Sequence, residues 1–513
     1  MPYDSCSNVL IRGVNWIGDA VMTMPALKAL RKAMPEARLS LLVKPWVSEL
    51  FKKDPNIDEL ILYGTEYKGL MGKYRLSRYL KGRGFCLAIL LQNAFDAGLI
   101  TYLSGIPERI GYRRDGRGLL LTKPIPYGKE DRQMHHILYY IELLRRAGIK
   151  AEPIVPWIYL SLSERLDARK TLEGLRKPVL GINPGATYGS SKRWYPQRFA
   201  GVAQRFIEES IGSVVIFGGS SEIEIADEIM GHLPEMYHSR CVSMAGKTTL
   251  RQLISLISEC DVFLTNDSGP MHIGYAVRTP LVSLFGSTEP SLTGPPEKGN
   301  IVIKKDIRCS PCFKRQCKED TLKCMDAIGM DEVFSAVRNL IPKNRAVFFD
   351  RDGTLCKDKN YLNNWDDFEV FEDVSEVRRL KEKGFRLIGI SNQSGIARGI
   401  IDEAFVRDIN DVFIRQYGFD EFYYCPHHPD EHCPCRKPEP DMLLRARLEH
   451  GIDLKASYMI GDKSADIEVS NAVGSKSIHI LTGQEEKGLD ADFTATSLKQ
   501  AVEWIIKDAT KEV

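Results

Sequence analysis

Ala346-Val347-Phe348-Phe349-Asp350-Arg351-Asp352-Gly353-Thr354 is a short apolar run that stops on a carboxylate, and its reading decides the fold. Apolar residues without polar alternation mark a strand buried on both faces, the signature of a parallel sheet covered by helices. Asp350 is then the first residue out of the strand. Taken alone, Asp-x-Asp-Gly-Thr also fits an ordinary Asx-capped turn. Similar runs occur at 9–14, 38–43, 87–92, 179–183, 214–218, 262–266 and 281–285 before it. Others come after it at 386–391, 458–462 and 477–481, and amphipathic stretches such as 26–33 and 200–208 lie between. Strands alternating with helices predict doubly wound α/β layers.

One compact core stops growing near 250–300 residues, so 513 residues predict roughly three domains. A connector with Pro153 and Pro156, and the polar linker Pro342-Lys343-Asn344-Arg345, place them at 1–160, 161–342 and 343–513. Lys plus Arg is 70 and Asp plus Glu is 68, a net charge of +2, which argues against a dedicated nucleic-acid binder. Hydrophobic residues at 43% and charged residues at 27% exclude wholesale disorder. No apolar run approaches the ~18–20 residues of a membrane-spanning helix. The start, Met1-Pro2-Tyr3-Asp4-Ser5-Cys6, lacks the features of a secretory signal, so a cytoplasmic protein is expected. In that setting the 12 cysteines read as reduced thiols or metal ligands rather than a disulfide framework.

The last third carries four strand-terminal or loop pieces in order: Asp350 to Thr354; Ser391-Asn392-Gln393-Ser394-Gly395; Lys437 within Cys435-Arg436-Lys437-Pro438; and Gly461-Asp462-Lys463-Ser464-Ala465-Asp466. Strand C-termini of a parallel sheet form its ligand crevice, so the pieces should meet. The residue types suit phosphoryl transfer. Asp350 is the candidate nucleophile and Asp352 the candidate acid and base. Ser391, Asn392, Arg436 and Lys437 are candidates for phosphate binding. Asp350, Asp352 and Asp462 are the expected Mg²⁺ site, a hard cation on carboxylate oxygens. These motifs resemble the haloacid dehalogenase superfamily of phosphatases, over 345–513. Cys425, His427, Cys433 and Cys435 supply four ligands at a spacing that suits a tetrahedral Zn²⁺ site. Arg436 and Lys437 come directly after the last ligand, so the metal would fix the arm that presents both cations. This zinc loop resembles two groups of enzymes, the heptose 1,7-bisphosphate 7-phosphatases and the histidinol-phosphatase domains.

The first two thirds carry weaker signals. Trp16-Ile17-Gly18-Asp19 comes after a strand, Gly18 allowing a tight turn and Asp19 standing at or near a helix start, where an N-cap is the ordinary reading. Asn183-Pro184-Gly185-Ala186-Thr187, then Lys192-Arg193-Trp194, form a candidate phosphate clamp. Glu222 comes after Phe217-Gly218-Gly219 and could reach a ribose hydroxyl. Asn266-Asp267-Ser268-Gly269-Pro270-Met271-His272 describes a helix start with N–H groups for a diphosphate. The order resembles the ADP-heptose–lipopolysaccharide heptosyltransferases over about 8–341. That resemblance implies a GT-B pair of Rossmann-like domains ahead of the haloacid dehalogenase-like domain with its zinc loop. It also implies that Asp19 is the base of an inverting transfer, and that Thr187, Lys192, Glu222, Asp267, Ser268, Gly269 and His272 bind ADP-heptose. Pro270 stands where many members have Leu.

Two features stand apart. Between Glu66 and Leu120 there are ten Lys/Arg against four Asp/Glu, either a solvated face or a docking surface for a phosphorylated glycolipid at an anionic membrane. Cys309, Cys312, Cys317 and Cys324 have the spacing of metal or iron–sulfur ligands, or of free thiols, and look structural because they are remote in sequence from either proposed centre.

Together the resemblances imply a bifunctional enzyme of lipopolysaccharide core synthesis. Its expected partners are ADP-heptose, a lipid A-linked inner core acceptor at the inner face of the inner membrane, and heptose 1,7-bisphosphate, with no nucleic acid. A histidinol-phosphatase activity, and an N-terminal part that only binds nucleotide sugar or lipid, are the alternatives.

Overall fold

The computed structural model describes residues 6–296, 298–318, 321–483 and 489–510. The chain divides into two compact units, Met1–Leu340 and Ile341–Val513. Among the described residues the first holds two six-stranded sheets and the second holds one.

The first sheet contains β1 (Asn8–Arg12), β2 (Arg38–Val43), β3 (Glu59–Leu62), β4 (Leu87–Leu90), β5 (Glu108–Tyr112) and β6 (Lys123–Ile125). The second contains β7 (Val179–Asn183), β8 (Ser213–Ile216), β9 (Cys241–Ser243), β10 (Val262–Asn266), β11 (Leu281–Phe285) and β12 (Asn300–Lys304). The third contains β13 (Arg345–Phe349), β14 (Phe385–Asn392), β15 (Glu421–Cys425), β16 (Tyr458–Gly461), β17 (Lys476–Ile480) and β18 (Phe493–Ala495). The orders are β3-β2-β1-β4-β5-β6, β12-β11-β10-β7-β8-β9 and β15-β14-β13-β16-β17-β18. In each sheet the first and fourth strands lie side by side in parallel, where the order reverses direction. Ligands of open α/β sheets bind at that switch point, beyond the strand C-termini.

Burial explains the runs. Val9, Leu10 and Ile11 are all solvent-inaccessible. Alternation along the strand sends Val9 and Ile11 into the core beneath helix Ile17–Ala33, and Leu10 into a separate core with Leu76, Leu80 and Ile100. Both faces are therefore covered, and no polar alternation remains to be read. Val347 and Phe349 anchor the core of the second unit in the same way.

The expectation of reduced thiols is corrected at one pair: Cys6 and Cys86 form a disulfide with Cα atoms 5.9 Å apart. They precede β1 and β4, adjacent parallel strands, which places the two residues together.

Candidate active sites

In the second unit, Asp350 leaves β13 and is buried. Its Oδ1 accepts from Lys437 Nζ at 2.6 Å, and the same amine reaches Asp466 Oδ1 at 2.5 Å and Ile390 O at 3.3 Å. Ligand oxygens of Asp350, Asp462 and Asp466 all lie within 4.8 Å of one another. Burial pushes the Asp350 carboxyl up, against the opposing charge of Lys437, and burial with the charge of Asp350 does the same to Asp462. Both Asp462 oxygens are buried with no hydrogen-bond partner among the described residues. A Cβ at Gly353, where φ is +94°, would lie 2.3 Å from Asp462 Oδ2, so that glycine is required twice over. A buried carboxylate with no donor among the described residues, beside two more, fits a hard divalent cation.

The carboxylate of Asp352 lies outside that group of three. Arg351 holds its two oxygens at 3.1 and 3.0 Å, and Gln393 donates to Oδ2 at 2.7 Å. Burial alone would raise the Asp352 carboxyl, but Arg351 and Gln393 outweigh it and keep it below the ordinary carboxylate range. Asp466, paired with Lys437, is the third carboxylate of the group. Ser391 is buried and donates to Asp352 Oδ2 at 3.4 Å. Asn392 clasps the backbone of Lys437 in both directions, at 3.1 and 3.0 Å, so it positions the lysine. Arg436 keeps one buried guanidinium nitrogen, Nη1, without a hydrogen-bond partner among the described residues.

Ligand atoms of Cys425, His427, Cys433 and Cys435 also lie within 4.8 Å of one another. Cys433 Sγ is 2.8 Å from Cys435 Sγ, and Cys435 Sγ is 3.3 Å from His427 Nδ1. Three soft sulfurs and an imidazole at the end of β15 suit a closed tetrahedral Zn²⁺ site.

In the first unit, Trp16 rather than Asp19 is the N-cap of helix Ile17–Ala33. Asp19 Oδ1 instead lies 3.5 Å from His136 Nδ1, at the start of helix His136–Arg146, and both side chains are partly exposed. The need for Gly18 comes from packing: a Cβ there would lie 2.6 Å from His272 Cδ2. The first turns of helices Ile17–Ala33 and Gly269–Ala276 therefore meet. His272 is buried, its Nδ1 is 3.1 Å from the Tyr275 hydroxyl, and burial pushes it down to about 4, so it is neutral at pH 7.

Lys192 Nζ lies 2.5 Å from Asp267 Oδ2, which also accepts from Thr288 at 2.5 Å. Glu222 caps the backbone of Gly219 at 2.7 Å. Its carboxylate fills the space over Gly185, where a Cβ would lie 1.6 Å from it. Thr187 is exposed in the loop between Gly185 and Lys192. Ser268 is the N-cap of helix Gly269–Ala276, yet its hydroxyl makes no capping bond and meets Thr265 and Asn183 instead.

The second cysteine cluster is not remote from this site. The carbonyl of Phe313 accepts from the Tyr188 hydroxyl, and those of Lys314 and Arg315 accept from Ser191, within the loop that carries Lys192. Among the described residues no three of Cys309, Cys312, Cys317 and Cys324 bring their sulfurs within 4.8 Å of one another. His136, Thr288, Gln393 and Asp466 gain their places from the structure rather than from the sequence. Gln393 and Asp466 carry a signal, each inside a strand-end motif; His136 and Thr288 carry none.

The chain matches the profile of glycosyltransferase family 9 (heptosyltransferase) over residues 73–323, and a HAD-hydrolase-like profile over 434–503. It is 30% identical to lipopolysaccharide heptosyltransferase 2 of Escherichia coli over 297 residues, 56% of this chain and 85% of that one. It is 42% identical to the D-glycero-beta-D-manno-heptose-1,7-bisphosphate 7-phosphatase of Photorhabdus laumondii over 154 residues, 27% of this chain and 81% of that one. The solved structure of E. coli ADP-heptose heptosyltransferase II superposes with a TM-score of 0.57 at 27% identity, covering 65% of this chain and 98% of that one.

Proposed function

Because the chain belongs to the family 9 heptosyltransferases through its first unit and to the HAD-like heptose-bisphosphate phosphatases through its second, we propose that it is a bifunctional enzyme of lipopolysaccharide core synthesis. The first activity transfers heptose from ADP-heptose to a lipid A-linked inner core acceptor. The second removes the 7-phosphate of heptose 1,7-bisphosphate. The carrying observation is that charged residues lie at the strand ends of the sheets in each unit, in a chain whose two parts match two enzymes of heptose chemistry.

In the phosphatase, a carboxylate oxygen of Asp350 attacks phosphorus, and the sugar oxygen departs with the electron pair of the broken P–O bond. Lys437 offsets charge on the transferring group. Asp352 relays the proton of the substrate's phosphate monoanion to the departing oxygen and then, as a carboxylate again, takes a proton from the water that cleaves the aspartyl-phosphate. Arg351 and Gln393 hold it as the carboxylate that the second step needs. Asp350, Asp462 and Asp466 would hold Mg²⁺, which would neutralise phosphate charge. Zn²⁺ on the four-ligand loop would hold Arg436 and Lys437 in place.

In the transferase, Lys192 and the start of helix Gly269–Ala276 bind the diphosphate, and Glu222 binds the ribose. The acceptor hydroxyl oxygen attacks the anomeric carbon from the face opposite ADP. The bond to ADP breaks with its electron pair on phosphate oxygen, and the hydroxyl proton goes to Asp19, which His136 orients. This inverts the anomeric centre. The lipid-linked acceptor is met from a peripheral position at the inner face of the inner membrane. No helix among the described residues is long and apolar enough to cross a membrane.

The test is a pair of assays on the full chain: phosphate release from heptose 1,7-bisphosphate against histidinol phosphate, and heptose transfer from ADP-heptose. Preference for histidinol phosphate, or nucleotide-sugar binding without transfer, would replace the proposal with the corresponding alternative.

A further inference from the structure

Helix Gly69–Lys81 turns Gly72, Leu76, Ser77 and Leu80 inward. Its other side exposes Leu70 at 81% and Met71 at 70%, with Tyr74 and Tyr79 also exposed. A solvated helix face ordinarily carries polar residues there. The next helix, Phe95–Leu103, exposes Phe95, Tyr102 and Leu103, and Leu119, in the turn after β5, is 98% exposed. These pieces adjoin one another. Lys73 Nζ lies 3.6 Å from Asp96, and Cβ positions at Gly116 and Gly98 would lie 3.8 Å from the Phe95 ring and 3.2 Å from Arg117 Cβ.

Cations are interspersed among the apolar side chains. Residues 68–83 hold six Lys or Arg and no Asp or Glu, and Lys68, Arg75, Arg78 and Lys81 are exposed. Beside Leu119, a recess of about 460 Å³ is lined in part by Arg113 and Arg114. Arg117, by contrast, is buried on backbone carbonyls and lies outside this surface.

A protein-binding patch is depleted of charge at its core. Large apolar and aromatic side chains among lysines and arginines instead match the interface of an anionic bilayer, where rings and aliphatic chains enter the headgroup level and cations meet phosphates. The patch also borders the crevice of the first sheet. Asp96 lies 3.4 Å from the Tyr63 hydroxyl and acts electrostatically on Arg12 and Lys44, at the C-terminal ends of β1 and β2. Asp19 lies just beyond the same end of β1.

We propose that the outer side of helices Gly69–Lys81 and Phe95–Leu103, with the turn at Leu119, docks on an anionic phospholipid bilayer. The crevice leading to Asp19 then opens at the membrane surface. The benefit to a lipid-linked acceptor rests on the transferase function proposed for the first unit; the docking itself does not.

Sedimentation of the full chain with phosphatidylglycerol–phosphatidylcholine vesicles tests this. The protein should pellet with them, less so as salt rises, and not with phosphatidylcholine alone. Leu70→Ser with Met71→Ser, and separately Lys68→Glu with Arg78→Glu, should each lower partitioning at least about tenfold, since one surface cation contributes roughly a factor of five. Unchanged phosphatase activity and melting temperature confirm folding of these variants. Transfer to an acceptor stripped of acyl chains should stay normal while transfer to bilayer-embedded acceptor falls. Wild-type protein that ignores anionic vesicles, or variants that bind as well as wild type, overturn the proposal. Vesicle binding without any heptose transfer leaves the docking surface standing and removes the transferase reading.

Discussion

Lys437 Nζ lies between Asp350 Oδ1 at 2.6 Å and Asp466 Oδ1 at 2.5 Å, one buried cation among the carboxylates at the end of β13 and β16. Asp462 stands beside them with no donor among the described residues. Removing one partner of such a group leaves the others buried and uncompensated, which costs roughly 3–5 kcal/mol. Lys437→Met should therefore destabilise the second unit by about that amount and abolish phosphate release, as read by thermal melting and a phosphate assay. A variant with wild-type stability would show that the buried charges do not depend on the lysine.

The same carboxylates set a pH dependence. Burial raises Asp462 to about 7, above the roughly 3.9 of an unfolded Asp. A folded-state value above the unfolded one means that the folded state binds more protons, so stability is lost as pH rises between those two values. A divalent cation supplies the missing positive charge. Added Mg²⁺ should raise the melting temperature of the second unit more above about pH 7 than below about pH 5. An equal shift at both would place the cation elsewhere.

Cys433→Ser should lower the zinc content of the full chain and loosen the loop that presents Arg436 and Lys437, because ligand binding energy there is also local folding energy. Metal analysis with phosphatase KM reads both effects. Stoichiometric zinc, unchanged by the substitution, would contradict the assignment of Cys425, His427, Cys433 and Cys435.

Asp19 is not an N-cap, so its removal should cost turnover rather than stability. Asp19→Ala should lower transferase kcat by about 10²–10⁴-fold with little change in affinity for ADP-heptose. His136→Gln keeps a donor near Asp19 and should cost less than His136→Ala. Initial rates and nucleotide-sugar titration separate these effects. A weakened affinity with normal turnover would make Asp19 a binding residue.

The strand-end residues are legible in the sequence because strands buried on both faces leave unbroken apolar runs, and the residue next after such a run must lie at the crevice. Asp350 and Asp462 are found that way. Which carboxylate completes the group is not legible. Asp352 and Asp466 both belong to the right motifs, and only side-chain direction, set by Arg351 and Gln393 on one and by Lys437 on the other, separates them. His136 stands far along the chain from Asp19 and carries no motif; packing of two helix starts brings them together. The cysteine segment at 309–324 reads as remote because separation along the chain says nothing of a loop that folds back onto Tyr188 and Ser191.

Two separable active sites of heptose chemistry on one chain should respond to substitution independently. The decisive comparison assays the full-length chain, Asp350→Asn and Asp19→Ala in parallel for phosphate release from heptose 1,7-bisphosphate and for heptose transfer from ADP-heptose. Asp350→Asn should lose phosphate release by at least about 10³-fold and keep transfer, while Asp19→Ala should do the reverse. Loss of both activities in either variant, or a wild-type chain that hydrolyses histidinol phosphate in preference and transfers no heptose, would contradict the two-site assignment.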